Sequence, residues 1–417
     1  MSKKSFNRAL TIIIIALSLV GSYFLGYFSF KWKLSDTEKT VLRILEAYED
    51  YYYFKDENLV DIISDAIFDD YSTYYTPEEY EEVVNKALGE NANFGLKFVS
   101  ETLQIHSVIV NSPCFKSGVT AGGTLVSVTY NGVETFGKEG KLMMQELSVG
   151  QEVTIKIDYS GTEKSFTITK EEYNESYVTY IGSTGSYYFT DKTSGMQLEK
   201  YSNESLSASG VGYIKFSSFN GRSVNDYGSA SQMRKVLLKF KEEGNTKLIL
   251  DLRGNLGGYM DVASLISGML VEPKQDKQVY SITINRDGKE KHHTFSKDSV
   301  IDYSWFEKII VLADVNTASA SEVLIGAMLD YDDKNIVSVI IEGHTEGDQI
   351  VYRSRGKGIM QTTYKYNDGS AIKLTTSRVF WPKSRICIHG VGITTNTSAK
   401  VHNAVGMDAL SYALNIL

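Results

Sequence analysis

The chain has 417 residues, 42% of them hydrophobic and 23% charged, and a formal net charge of −8. This length allows two or three domains, and the composition is typical of a folded protein. The negative charge argues against a nucleic-acid partner, because no basic stripe is available to neutralise phosphates. Cys114 and Cys387 lie far apart and form neither a disulfide framework nor a zinc pattern, so we expect no metal and no cofactor.

Residues 1–34 have the pattern of an N-terminal tail and a transmembrane anchor. Lys3, Lys4 and Arg8 precede residues 9–30, which are apolar apart from hydroxyl residues and glycine. A helix of this length crosses the hydrocarbon core of a bilayer, and the positive residues are expected to stay inside. A cleaved signal peptide is the competing interpretation, but its apolar core would be shorter. We therefore expect a single-pass protein of the cell membrane, with the rest of the chain outside the cytoplasm.

Residues 35–91 have the spacing of a helical segment. Val41, Ile44 and Leu45 fall at helical intervals. Farther on, Thr76-Pro-Glu-Glu79 combines an N-cap threonine, a proline at the first helical position and a glutamate three residues after the cap. We expect helices that pack on the main domain, and their apolar positions are also compatible with a homodimer.

Residues 92–170 change to a pattern of short strands. Turn dipeptides such as Asn131-Gly132 and Ser160-Gly161 separate the strands, and one helix is expected near residues 140–147. A small β domain with a helix beside a strand edge can bind an extended peptide as an additional strand, with the terminal carboxylate held by backbone N–H groups. The pattern alone leaves its use open.

Residues 171–417 are expected to form an α/β core. Residues 171–210 are rich in Tyr, Ser, Thr and Gly and are interpreted as a connecting segment with a hairpin. From Val211 onward, apolar strands alternate with amphipathic helices, which predicts parallel pairing. The expected strands are Gly212–Phe219, Lys247–Leu252 and Ile309–Asp314.

A serine-rich stretch joins the last of these strands to a helix. Thr317-Ala-Ser-Ala-Ser-Glu322 follows the strand and precedes the apolar run Val323–Leu329. A serine at such a junction faces the free N–H groups of the new helix, which suits a nucleophile. It equally suits a helix cap, since serine and threonine are preferred there.

A nucleophilic serine needs a base, and none of the six histidines has a setting typical of a Ser-His-Asp triad. Lys357 is flanked by glycines, and burial would lower its pKa towards the range of a general base. Gln361 lies four residues farther on and would orient the amine. The competing interpretation is a solvated basic loop. Gly257 and Gly258 end another strand, where they form either a tight turn or an oxyanion hole.

Part of the β domain resembles PDZ domains. Phe94-Gly-Leu-Lys97 occupies the place of the PDZ carboxylate-binding loop, so the resemblance assigns peptide binding to Phe94, Gly95 and Leu96. Asn111–Gly118 and Ala121–Val128 resemble the stretch that usually reads S-P-A-x-x-A-G and then P-G-D-x-I-x-x-V. Cys114 in place of alanine and Ala121-Gly-Gly123 in place of Pro-Gly-Asp make this a divergent PDZ sequence.

The order of motifs along the whole chain resembles the carboxy-terminal processing protease (tail-specific protease) family. The motifs are Tyr71–Tyr80, Asp251-Leu-Arg-Gly-Asn-Leu-Gly-Gly258, Thr317–Glu322, Gly356-Lys-Gly-Ile-Met-Gln361 and Asp368–Arg378. The resemblance implies a ClpP/crotonase-like α/β core, an inserted PDZ domain and an N-terminal helical segment after a transmembrane helix. The implied domains are 1–34, 35–91, 92–170 and 171–417.

The resemblance also implies a function and a role for individual residues. The chain would be a membrane-anchored serine endopeptidase that cleaves extracytoplasmic proteins near their C-terminal tails, with a PDZ domain that recognises the tail and gates activity. Protein or peptide substrates with exposed C-termini would be its partners. Ser319 would be the nucleophile and Lys357 the general base, supported by Gln361. The remaining roles are the oxyanion donors Ala320 and Gly257 or Gly258, and a structural or orienting Asp330.

Two departures from the family pattern bear on these roles. Asn316 stands where the family usually has glycine, and asparagine tolerates a positive φ. Lys357 follows Ser319 by 38 positions, a longer spacer than the family usually shows, and the surplus falls in residues 343–355. A catalytically inactive PDZ module that captures protein C-termini at the membrane is the alternative function. A cytosolic crotonase-type hydrolase of acyl-thioesters fits the anchor and the PDZ sequence less well.

Overall fold

The computed structural model describes residues 68–88, 90–99, 102–190, 198–200, 210–221, 228–272, 277–295, 300–301 and 304–417, with residues 35, 39 and 41. The chain divides into two units, Met1–Phe68 and Asp69–Leu417, and the described ranges fall almost entirely in the second. The anchor predicted in residues 1–34 and most of the helical segment predicted before residue 68 lie outside them. In the ranges given, no helix is both long and apolar enough to cross a membrane.

The helices of the described ranges are short to medium in length. They are α1 (Pro77–Leu88), α2 (Pro113–Lys116), α3 (Gly137–Glu146), α4 (Ser229–Glu243), α5 (Met260–Leu270), α6 (Ala320–Tyr331) and α7 (Ala409–Ile416). The strands are β1 (Thr73–Tyr75), β2 (Glu90–Asn93), β3 (Leu96–Phe98), β4 (Ile105–Val108), β5 (Thr124–Tyr130), β6 (Val133–Phe136), β7 (Glu152–Tyr159), β8 (Thr162–Thr169), β9 (Glu171–Asn174), β10 (Val178–Gly182), β11 (Gly185–Phe189), β12 (Leu198–Lys200), β13 (Val211–Phe216), β14 (Lys247–Asp251), β15 (Gln278–Asn285), β16 (Glu290–Phe295), β17 (Lys308–Ala313), β18 (Val337–Ile341), β19 (His344–Glu346), β20 (Gln349–Val351), β21 (Ile359–Lys365), β22 (Ala371–Phe380) and β23 (Val401–Asn403).

An eight-stranded sheet forms the centre, in the order β12-β11-β10-β13-β14-β17-β18-β23. From β13 to β23 neighbouring strands are parallel, as the alternation of strands and helices predicts. Of these, β13, β14, β17 and β18 are apolar along most of their length because both faces are covered. The largest core cluster includes residues of α4, α5 and α6, and a second cluster includes residues of α7. The mixed α/β fold is therefore confirmed.

The segment 171–210 contributes more structure than its composition indicates. Instead of only connecting two domains, it supplies β10, β11 and β12, which extend the central sheet through antiparallel pairs. Every residue of β10 is buried. Tyr177 and Tyr180 give this region its core side chains, and both rings are fully buried although tyrosine is polar at its tip.

The β-rich region before it has a core of its own. Val128, Ile155 and Ile157 are among its fully buried side chains, and α3 packs against β5. Its main sheet runs β6-β5-β7-β8, while β3 pairs with β4. The PDZ assignment and the domain limits at residues 92 and 170 stay predictions.

A third sheet carries the strands that follow the predicted base. In this sheet β22 pairs with β21 along one edge. Its other neighbours are β1 and β15. Residues 73–75, which lie before the β-rich region in sequence, thus become part of the same sheet as residues 359–380. This arrangement brings residues 73–75 into the sheet that contains the strand following the predicted base.

Candidate active site

The serine-rich stretch forms a tight turn between β17 and α6. Asp314 Oδ1 accepts hydrogen bonds from the N–H groups of Asn316 (3.0 Å) and Gly254 (2.9 Å). Thr317 Oγ1 donates to the Leu252 carbonyl at 3.0 Å. The left-handed residue of the turn is Ser319, with φ +56° and ψ −116°, whereas Asn316 has a negative φ.

The positive φ of Ser319 has a steric cost for a residue with a Cβ. Such conformations persist where surrounding structure enforces them, and they cluster at functional sites. Ser319 is half-buried and directly precedes the first residue of α6, so its hydroxyl lies at the positive end of a helix dipole. The neighbouring Ser321 is fully buried, and its hydroxyl donates to the Asn255 carbonyl at 3.0 Å. The turn therefore presents one serine and buries the other.

The glycine turn after β14 lies against this serine. A Cβ on Gly257 would lie 2.8 Å from the Ala320 nitrogen and 2.9 Å from Ser319 Cβ, so only glycine fits. The Gly257 N–H is already donated to Asn255 Oδ1 at 2.9 Å. Between the described residues, no acceptor is recorded for the N–H groups of Gly258 and Ala320. Of the two glycines predicted as oxyanion donors, Gly258 is the one with an uncommitted donor.

A buried carboxylate that the sequence analysis did not single out joins the two predicted catalytic residues. Glu322 Oε2 accepts from the N–H of Ser319 at 2.8 Å and from the N–H of Lys357 at 2.9 Å. Its Oε1 accepts from the N–H of Gly356 at 2.7 Å and from the hydroxyl of Ser354 at 2.5 Å. Because one oxygen atom holds both backbone nitrogens, the predicted nucleophile and base are neighbours. The pattern Ser319-x-x-Glu322 is that of a capping box and was the available signal.

Burial raises the pKa of Glu322, and the hydrogen bonds from Ser354, Gly356, Ser319 and Lys357 offset part of that rise. Each of these bonds is made to a carboxylate oxygen, which makes them stronger than bonds between neutral groups. The carboxylate thus holds both turns in one arrangement.

Lys357 is half-buried, and its environment lowers the pKa of its amine. Burial lowers its pKa, and the nearby cations Lys373 and Arg355 lower it further, whereas Asp69 and Glu322 act in the opposite direction. The Nζ atom lies 4.6 Å from the centre of the Tyr71 ring. Across the described residues, no hydrogen bond from this Nζ to Ser319 is recorded.

Gln361 and Asp330 have definite contacts. Gln361 lies on β21, and its side-chain amide donates to Thr375 Oγ1 at 3.1 Å. Asp330 lies near the end of α6, where its Oδ2 accepts from the N–H groups of Lys383 (2.8 Å) and Ser384 (3.0 Å). Asp330 therefore contacts the 383–384 loop and lies about 16 Å along α6 from the serine.

The long spacer between Ser319 and Lys357 is accommodated outside the site. Most of the surplus forms the hairpin β19–β20, whose residues 344–350 are exposed. After the hairpin, the Arg355 N–H donates to the Thr317 carbonyl at 3.0 Å, which ties the chain back to the serine turn. The position of the Lys357 backbone thus depends on these contacts rather than on spacer length.

A cluster of charged side chains lies at the glycine turn after β14. Burial acts to raise the pKa of Asp251, but Lys215, Arg253 and the Tyr213 hydroxyl outweigh it and hold that pKa at about 2. Arg253 also pairs with Glu342 at 2.7 Å. The Arg253 side chain therefore links the end of β14 to the end of β18.

The three residues predicted to bind peptide line a cavity of about 860 Å³, which is also lined by Glu82 of α1 and by Asn220 after β13. Phe94 is buried, and a Cβ on Gly95 would clash with the side chain of Ser112 at about 2.0 Å. One edge of β3 is paired with β4, while the residues Lys141 and Met144 of α3 line the cavity beside it. Its lining includes no residue of the serine turn, but it includes Asn220, whose Oδ1 would lie 2.9 Å from a Cβ on Gly258.

Comparison with known proteins agrees with these observations. The model of "Peptidase family S41" matches residues 210–399. A protein of Staphylococcus saprophyticus named "Probable CtpA-like serine protease" is 25% identical over 413 residues, which cover 94% of this chain and 73% of the relative. A protein of the same name from Staphylococcus epidermidis is 25% identical over 346 residues, which cover 82% of this chain and 60% of the relative. The chain therefore spans 60 to 73% of the length of these two relatives.

Among solved structures, the fold resembles that of a photosystem II D1 C-terminal processing protease. The TM-score is 0.51 at 19% sequence identity, and the match covers 85% of each chain. At this level of identity the likeness shows the shared fold.

Proposed function

Because the chain belongs to peptidase family S41 and is a serine-type peptidase of the C-terminal processing kind, we propose that it cleaves extracytoplasmic proteins near their C-terminal tails, using Ser319 and Lys357. The Glu322 carboxylate carries this proposal, since a single oxygen atom fixes the backbone of both residues. Such positioning is what a nucleophile and its base require.

The proposed reaction proceeds through an acyl-enzyme. Ser319 Oγ attacks the scissile carbonyl while its proton moves to the neutral amine of Lys357, whose pKa the site lowers. The N–H groups of Ala320 and Gly258 would stabilise the oxyanion. The C–N bond then breaks, the proton passes from Lys357 to the leaving amine, and Lys357 activates the water that hydrolyses the ester on Ser319.

We further propose that the cavity beside β3 binds the C-terminal tail of the substrate and gates activity. Its support is one edge of β3 that pairs with no strand of the described residues, a glycine loop that admits no side chain and a helix on the opposite side. An extended peptide would add to β3, with its carboxylate near residues 94–96, where the Gly95 N–H is already donated to Asn93 Oδ1 at 2.7 Å. Residues 1–34 would anchor the protein in the cell membrane, as their composition predicts.

Cleavage of a reporter peptide with an apolar C-terminal tail tests the catalytic part of the proposal. We expect cleavage by the full chain and complete loss in Ser319→Ala and Lys357→Ala. Lys383→Ala is the matched control, because Lys383 also packs on a tyrosine ring, that of Tyr331 at 4.5 Å, but lies near the opposite end of α6. A wild-type protein that binds the tail without cleaving it would replace this proposal with the inactive binding module.

Two further comparisons test the remaining parts. A reporter with a C-terminal amide should be cleaved more slowly than its free acid, and Gly95→Ala should remove that difference. Equal rates for acid and amide in the wild type would rule out tail recognition through a carboxylate.

For the anchor, the full chain should remain in the membrane fraction after high-salt washing, and a chain starting at residue 35 should be released.

A further inference from the structure

The general-base candidate contacts an aromatic ring from a distant part of the sequence. Lys357 Nζ lies 4.6 Å from the centre of the Tyr71 ring, within the range of about 6 Å for cation–π attraction. Tyr71 belongs to the segment before the β-rich region, to which the sequence assigns only packing. Its ring is half-buried, as is the lysine.

Several contacts hold the backbone of the segment that carries the Tyr71 ring. The Tyr71 N–H donates to Asp69 Oδ1 at 3.2 Å. The next residue, Ser72, accepts a hydrogen bond on its Oγ from the Thr375 N–H at 2.9 Å. β1 then pairs with residues 371–373 of β22. Tyr71 is therefore attached to the sheet that also contains the strand following Lys357.

Of the described groups around Lys357, the Tyr71 ring makes the direct attractive contact with the amine. Lys373 and Arg355 repel the ammonium, whereas Asp69 and Glu322 attract it. Asp69 is engaged with the 71–72 turn and Thr375, and Glu322 accepts four hydrogen bonds from other groups. For the residues described, no salt bridge of the Lys357 amine is recorded.

We propose that the Tyr71 ring is a positioning residue for catalysis, which binds the ammonium form of Lys357 and releases the neutral amine. The inference rests on the proposed function. When Ser319 Oγ forms its bond to the substrate carbonyl, its proton moves to Lys357 Nζ and the amine becomes a cation. An aromatic face attracts this cation and has little attraction for the neutral amine. The ring therefore stabilises the charge that the base acquires, until the proton passes to the leaving nitrogen.

The pH dependence of kcat/KM tests this role in the full chain with the reporter peptide. In the wild type, kcat/KM rises as Lys357 loses its proton. Tyr71→Leu removes the attraction for the ammonium, so its pKa falls and the acid limb moves about 0.5 to 1 pH unit lower. The plateau at high pH falls by up to about 10-fold, because the cation formed in the reaction loses its stabilisation. Tyr71→Phe keeps the aromatic face and should restore both features.

Tyr80→Leu is the matched control. The Tyr80 ring lies 5.7 Å from Lys365 Nζ, so this variant removes the same kind of contact from the same segment without touching the base. Its profile should match that of the wild type. If Tyr71→Leu gives the wild-type profile, the proposal is wrong.

A graded series covers the case in which Tyr71→Leu fails to fold. Phenylalanine at position 71 with increasing ring fluorination keeps the shape while weakening the negative face of the ring. The acid limb should move to lower pH with each step, and a constant limb across folded members would refute the role. Failure of the proposed function looks different, since the wild type would then cleave nothing and show no dependence on Ser319.

Discussion

Replacing Glu322 by glutamine tests the carboxylate that joins the nucleophile to the base. An amide keeps the shape but turns one acceptor oxygen into an N–H donor. The less disruptive orientation keeps the amide oxygen on the N–H groups of Ser319 and Lys357. The new NH₂ group then points at the Gly356 N–H, so that two hydrogen-bond donors face each other. The Ser354 hydroxyl can rotate and accept a hydrogen bond from the NH₂ group.

The magnitude follows from the bonds that change. The Gly356 bond, made at 2.7 Å to a charged oxygen, is lost, which costs about 1.5–3 kcal/mol. If this appears as misplacement of the base, kcat/KM falls about 10- to 100-fold. Glu322→Ala removes all four acceptor contacts and should cost more.

The assay is kcat/KM on the reporter peptide, with thermal melting to show that the variant is folded. Glu346→Gln is the matched control, since Glu346 makes an exposed pair with Arg353 at 2.7 Å on the hairpin, and such surface pairs contribute little. A folded Glu322→Gln protein with kcat/KM within about threefold of the wild type would refute the reasoning.

Three other predictions concern the same site. Lys373→Gln removes a cation that lowers the pKa of Lys357, so the acid limb of kcat/KM should move to higher pH; an unchanged or lower limb would contradict the assignment. Gly257→Ala should abolish cleavage in a folded protein because its Cβ would lie 2.8 Å from a backbone nitrogen. Gly254→Ala, with φ +75° and open space around the new Cβ, should retain cleavage despite a similar backbone cost; equal activities would exclude the steric argument. Replacing residues 344–353 by a short turn should leave kcat/KM on the small reporter within about fivefold of the wild type, and complete loss would show that the hairpin places the base.

The sequence predicted those features that depend on local pattern. Apolar runs such as Lys247–Leu252 and Ile309–Asp314 gave buried parallel strands because both faces of a covered sheet need apolar side chains. In the segment 171–210 the hairpin was predicted, but its place in the central sheet was not, because frequent serine and glycine are typical of loops. Its tyrosines are buried partly by distant elements, as Tyr180 is by Phe240 of α4. Burial of that kind depends on the tertiary structure and leaves no period in the sequence.

The turn at the serine shows the same limit on a smaller scale. The family pattern drew attention to Asn316 as the residue that must replace a glycine, yet the positive φ belongs to Ser319. The turn holds Asn316 in an ordinary conformation through the Asp314 side chain. The asparagine in place of glycine therefore needs no special backbone conformation in this chain.

The spacer between Ser319 and Lys357 shows why sequence distance was a poor guide to the site. Its length matters only if the chain between the two residues determines where the base lies. In the structure, the Lys357 N–H is held by Glu322, which lies three residues after Ser319. The Arg355 N–H is held by Thr317, which lies two residues before Ser319. Both anchors belong to the serine turn itself. An insertion between Gly343 and Arg353 can therefore change what lies beside the site while the geometry of serine and lysine is kept.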